Sequence, residues 1–91
     1  MDIQDLRKEI DLIDDQLVKL FTQRMDVAAR IAEYKKTQGM PILVPARERE
    51  KLKDVADKAG PEMADYVQAL YRTMFELSRD YQLRCNSAEV E

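Results

Sequence analysis

The chain has 91 residues, which gives one domain with a modest core. Two glycines, three prolines, sparse Val, Thr and aromatic residues and abundant Leu, Ala, Glu, Lys and Arg predict an all-α fold. A net charge of −3 leaves no electrostatic footprint for nucleic acid; the lack of histidine and the single Cys85 argue against a disulfide and a zinc or haem site; and no apolar run reaches the roughly 20 residues that span a bilayer, so a cytoplasmic protein without metal or cofactor is expected.

Helix 1 is predicted from Ile3 to about Gln38. Asp2 can accept from the free amides of its first turn, and Asp5 adds favourable charge there. Its apolar seam steps by three and four: Ile3, Leu6, Ile10, Ile13, Leu17, Leu20, Arg24, Val27, Ile31, Tyr34. Arg24 is the break in that seam. A guanidinium keeps its charge in a protein and is costly to bury unpaired, so an anion should meet it. No neighbouring seam position supplies a carboxylate. Lys35 lies on nearly the same face, roughly 16 Å further along the axis. Between them Ala28 is small enough to leave space. Two cations across a gap in an apolar seam describe a pocket for an anion.

Gly39 is a good helix terminator and Pro41 prevents resumption. Residues 40–44 read as a short extended apolar connector tucked against the helices. Pro45 suits the first position of helix 2, which is expected to continue through Lys58 with Leu52, Val55 and Ala56 on its apolar side. Gly60 and Pro61 make a break. Helix 3 is predicted from near Pro61 to about Arg84, with a seam of Met63, Val67, Leu70, Met74, Leu77 and Tyr81. A folded domain over residues 1–85 and a polar, frayed tail over 86–91 follow.

The length of helix 1 argues for a dimer. About 36 residues extend about 54 Å. A compact monomer of this size has a radius of gyration near 12 Å, a sphere about 31 Å across. The seam stays apolar to both ends, so both ends need cover. A second copy, with the two long helices antiparallel, is the simplest source.

Three further groups depart from a plain core pattern. Tyr71, Phe75, Ser78 and Gln82 form one stripe on helix 3, aromatic at first and ending in a hydroxyl and an amide that can address one ligand. Arg47 and Glu48 stand in the first turn of helix 2, where backbone amides are free donors. Arg7 lies about 25 Å from Arg24 along helix 1, too far to share a small ligand within one chain. In an antiparallel dimer it could enter the partner's pocket. Each group alone also fits an ordinary solvated helix surface.

Taken together, four segments resemble the all-α class of chorismate mutases over nearly the whole chain. They are Leu6-Arg7-Lys8-Glu9-Ile10-Asp11, Leu20-Phe21-Thr22-Gln23-Arg24 continuing to Tyr34-Lys35, Pro45-Ala46-Arg47-Glu48-Arg49-Glu50, and Glu76-Leu77-Ser78-Arg79-Asp80-Tyr81-Gln82. The resemblance implies an intertwined homodimer of three-helix chains with two sites, each built from both subunits. It implies conversion of chorismate to prephenate in phenylalanine and tyrosine biosynthesis, with no cofactor or metal. Arg24 and the partner's Arg7 would hold the two carboxylates, and Lys35 and Gln82 would donate to the ether oxygen. Ser78 would help at a carboxylate, Glu48 would accept from the ring hydroxyl, and Arg47 would brace the site. The family often carries an acidic residue in the connector where this chain has Val44, whose backbone can still contact the ligand. Two other readings share parts of this pattern: an isochorismate-pyruvate lyase, and a non-catalytic helical dimerisation or regulatory module. The lyase shares the fold and a similar cationic pocket, whereas the module leaves Arg24, Lys35 and Gln82 unconnected.

Overall fold

The computed structural model describes residues 2–88 as three helices: α1 (Ile3–Gln38), α2 (Pro45–Ala59) and α3 (Ala64–Ala88). The all-α prediction therefore holds, and α1 has the expected bounds. Asp2 caps it, Oδ1 accepting from the Asp5 amide at 3.0 Å. Gly39 ends it in the left-handed region at φ 65°, which a residue with a Cβ adopts only at a cost. The Met40 amide then donates back to the Lys35 carbonyl at 2.8 Å, so the chain folds over the last turn.

The connector follows the expected course only in part. Ile42 and Val44 turn inward and are half-buried, whereas Met40 and Leu43 face out. Pro45 opens α2, and the Arg47 and Glu48 amides donate to the Val44 carbonyl. Val44 itself gives no side-chain cap.

The bounds of α3 differ from expectation at both ends. Residues 61–63 form a turn first, in which the Met63 amide donates to the Gly60 carbonyl at 3.2 Å, so the helix starts at Ala64. At the far end it runs past Cys85 to Ala88, held by Asn86. Asn86 Nδ2 donates from the side chain to the Ala32 carbonyl at 3.2 Å, and the Asn86 backbone carbonyl accepts from Lys36 Nζ at 3.1 Å. The expected tail thus begins as helix; residues 89–91 lie outside the described part.

α3 packs against both other helices, while α1 and α2 do not pack directly on each other among the described residues. Ala28 and Ala32, both buried, let α1 approach α3 closely, and Phe75 and Val55 are the other buried apolar side chains among the described residues. The Gln68 side chain donates to the Leu52 carbonyl at 3.1 Å and ties α3 to α2. The molecule measures 54 × 30 × 14 Å with a radius of gyration of 16.4 Å, well above the roughly 12 Å of a compact chain this long. A thickness of 14 Å is little more than one helix diameter of about 10–12 Å. The three helices form a single layer, and among the described residues no large side chain is fully buried. Among the described residues no helix is long and apolar enough to cross a membrane.

Candidate active site

The space between α1 and α2, floored by α3, is a cavity of about 860 Å³. Three local features build its wall. The C-terminal half of α1 presents Arg24, Ala28 and Lys35 along one face, as their spacing requires. The Gly39 turn brings the connector back over Lys35, whose Nζ donates to the Ile42 carbonyl at 3.0 Å. One ammonium proton is used there and two remain. From α3, the stripe Tyr71, Phe75, Ser78 and Gln82 faces the same space.

Arg24 meets no carboxylate among the described residues. Its guanidinium instead lies 5.7 Å from the Tyr71 ring centre and 6.0 Å from that of Phe75. The two rings meet edge to face, with centroids 6.1 Å apart. Aromatic faces attract a cation electrostatically without neutralising it. The charge of Arg24 is therefore held in position and stays available.

The lining charges are strongly unequal. Six are cations (Arg24, Lys35, Arg47, Lys51, Lys58, Arg79) and two are carboxylates (Glu48, Asp54), an excess of four positive charges in a chain whose net charge is −3. Arg47 pairs with Glu50 at 2.8 Å on the exposed rim. Asp54 accepts from Lys58 at 3.1 Å and Lys51 at 3.2 Å, and these two ammonium groups, Lys58 foremost, hold its carboxyl below the usual carboxylate range. Glu48 Oε2 accepts from Arg79 Nη1 at 2.5 Å, across from α2 to α3. Only Arg24 and Lys35 among the lining cations lack a carboxylate partner within the described residues.

Ser78 and Gln82 are both buried. Gln82 Nε2 donates to Ser78 Oγ at 3.0 Å, and Gln82 Oε1 is buried with no partner among the described residues. An unsatisfied buried acceptor costs about 1–3 kcal/mol. The two ends of an amide have the same shape. With the amide turned over, the Ser78 hydroxyl donates to Oε1 and Nε2 becomes a free donor for an incoming acceptor.

Of the residues singled out from the sequence, the fold brings Arg24, Lys35, Val44, Arg47, Glu48, Ser78 and Gln82 to one cavity. Arg7 is exposed on the distant part of α1 and does not line it. Sequence reasoning did not assign Lys51, Lys58 or Arg79. Lys51 and Lys58 carried a readable signal, since Glu48, Lys51, Val55 and Lys58 follow steps of three and four. Arg79 carried none, because its partner lies 31 residues away.

Comparison with known proteins gives a consistent answer. Residues 6–83 match the family model described as chorismate mutase type II. The T-protein of Haemophilus influenzae is 36% identical over 73 residues, covering 77% of this chain and 19% of the relative. The 4-amino-4-deoxychorismate mutase of Streptomyces venezuelae is 35% identical over 65 residues, covering 71% of this chain and 59% of the relative. The intracellular chorismate mutase of Mycolicibacterium smegmatis is 32% identical over 71 residues, covering 78% of this chain and 68% of the relative. The match therefore spans about a fifth of the first of these relatives and less than two thirds of the second. With a family match over nearly its whole length and an all-helical cavity lined by excess positive charge, the chain belongs to the chorismate mutase type II family.

Proposed function

We propose that this chain converts chorismate to prephenate, as a homodimer whose two sites each draw on both subunits. The observation that carries the reading is the pair of lining cations, Arg24 and Lys35, that have no carboxylate partner within the described residues. Chorismate is a dianion. Its rearrangement breaks one C–O bond while one C–C bond forms, and negative charge grows on the ether oxygen. The protein's task is to hold the folded conformer and to stabilise that charge. Arg24, steadied by Tyr71 and Phe75, takes one carboxylate in bidentate fashion. The partner subunit's Arg7 takes the other. Lys35 and the turned-over amide of Gln82 donate to the ether oxygen, and Ser78 fixes Gln82 while supporting a carboxylate. Glu48 accepts from the ring hydroxyl, Val44 contributes its backbone beside it, and Arg47 braces the rim.

The second subunit is supported by the one-layer architecture. A helical layer buries its apolar side only against another layer, and α1 leaves Ile10, Ile13 and Leu17 more than half exposed. Arg7, remote from its own cavity, is then available to the partner's.

Incubation of the purified chain with chorismate, followed by its ultraviolet loss, tests the reading. Prephenate as product is the expected outcome. Pyruvate released from isochorismate instead would identify a lyase, and no turnover of either would leave a non-catalytic helical module. Refolding Arg7→Ala together with Arg24→Ala chains checks the shared site. Each variant alone should be strongly impaired, and the mixture should regain activity because a heterodimer has one site with both arginines. Proven heterodimers without recovery would remove Arg7 from the site.

A further inference from the structure

Arg79 and Glu48 stand out because they form the ion pair that bridges α2 and α3 at the cavity wall. Their side chains are only 28% and 26% exposed. Both residues, with Phe75, also line a smaller cavity of about 300 Å³ between α2 and α3, so the pair forms part of the wall between the two spaces. Arg79 engages Glu48 Oε2, and no donor meets Oε1 among the described residues.

The pairing sets the local charge. A lone Glu48 would present a full negative charge, whereas the pair is neutral overall. Neither neighbour restores the missing charge: Val44 is apolar, and Asp54 is already held by Lys58 and Lys51. A neutral hydroxyl needs only the acceptor oxygen. An amine on the same ring carbon is protonated at neutral pH, like other aliphatic amines. It would bring a positive charge towards Arg79 with no spare anion to receive it, and specificity of this kind comes from such unmatched charge.

We propose that Arg79 is a positioning residue which, through Glu48, makes the site select a ring hydroxyl over a ring ammonium. The proposal rests on the reading of Glu48 as acceptor for the ring hydroxyl.

The test compares kcat/KM for chorismate and for 4-amino-4-deoxychorismate in four proteins: wild type, Arg79→Met, Arg79→Lys and the double variant Arg79→Met/Glu48→Gln. Wild type is expected to prefer chorismate. Arg79→Met keeps the side-chain stem but exposes the Glu48 charge, and should shift the ratio towards the amino substrate by at least about tenfold. Arg79→Lys keeps the charge and should preserve most of the preference. The double variant removes both charges and should return the ratio to within about threefold of wild type. If Arg79→Met does not fold, Arg79→Gln gives the same readout. A merely structural brace would lower the melting temperature and both efficiencies together without moving the ratio, and that outcome overturns the proposal. So does an equal shift in Arg79→Lys and Arg79→Met. A wild-type protein that turns over neither substrate refutes the mutase reading and this proposal with it; an active wild type with an unmoved ratio refutes only the role of Arg79.

Discussion

The two halves of α1 carry one apolar seam that is exposed in both, Val27, Ile31 and Tyr34 at 44%, 45% and 61%, but only the second half also buries an adjacent face. From Ala28 to Lys35 the helix lies on α3, with Ala28 and Ala32 buried and Lys35 half-buried at the cavity. Over residues 2–23 every residue is exposed, including the seam positions Ile10, Ile13 and Leu17 at 58%, 55% and 54%. Side-chain chemistry does not separate the halves. Packing does, because α3 reaches only one of them. A periodic apolar stripe states that a face is to be covered and is silent about which chain covers it.

Breaking the bare half should have the largest effect. In a lone chain Leu17→Glu is a surface change worth less than about 0.5 kcal/mol. Against a second copy it places a charge in an apolar interface, which costs several kcal/mol. Sedimentation and urea unfolding should show dissociation, strong destabilisation and loss of turnover. A variant as stable and as large in mass as wild type would mean that the bare half is solvated by design.

The covered half is probed at Arg24. Arg24→Ala should lower kcat/KM by at least about a hundredfold, since charge-assisted bonds to an anion in a dry site are worth several kcal/mol. Folding should survive, because the residue removed has no carboxylate partner and leaves no counter-charge behind. Near-normal turnover in the folded variant would move the anion site elsewhere.

Gln82→Glu sharpens the same half. The amide does not titrate in the working range, so this residue imposes no pH dependence on wild type. On the proposed reading, an ionised carboxylate there would repel the charge growing on the ether oxygen, whereas a protonated one would donate. Burial favours the protonated form and Lys35 opposes it. The variant should be nearly inactive at neutral pH and regain rate as pH falls towards and below the reference value of about 4.3. A flat, fully active profile would take Gln82 away from the breaking bond.

The smallest effect is expected at Asp54. Its pKa is lowered by Lys58 and Lys51, so the unfolded chain binds its proton at higher pH than the native chain. Its contribution to stability is therefore present above the unfolded carboxylate pKa and is lost as pH falls through the lower native value. Asp54 and Lys51 are partly exposed and Lys58 is open to solvent, so screening keeps the gain slight. Acid unfolding of Asp54→Asn should differ from wild type by no more than a small shift of midpoint, and the two proteins should converge in stability at the lowest pH. A large difference at neutral pH would give the cluster a structural weight that its exposure does not predict.

What the sequence revealed depended on contrast along a single helix. Arg24 was legible because it is a charge in an otherwise apolar repeat, and Lys35 because it shares that face. The Ser78 and Gln82 stripe was legible from its spacing, although the unsatisfied Gln82 oxygen required coordinates. The start of α3 was misjudged by three residues because Pro61 suits a first helical position, yet the Gly60 carbonyl closes a turn with Met63 first. The pairing of Arg79 with Glu48 was hidden for a different reason. Its neighbours Asp80 and Arg84 form an ordinary exposed pair, so the run reads as a solvated face. Only the way α2 lies across α3 brings Glu48 to it.

The crowding of duties onto α3 has a consequence for how this chain tolerates change in length. Tyr71 and Phe75 steady Arg24, Ser78 and Gln82 face the cavity, and Arg79 grips Glu48, all within about three turns. Their common orientation depends on helical phase, and one inserted or deleted residue turns everything beyond it by about 100°. A single alanine inserted between Phe75 and Ser78 would leave an unbroken helix with good propensity throughout. It would nonetheless swing the hydroxyl and the amide away from the guanidinium that the aromatic rings still hold. An added residue in the turn at 61–63 precedes the whole set and can be absorbed there without changing their relative phase.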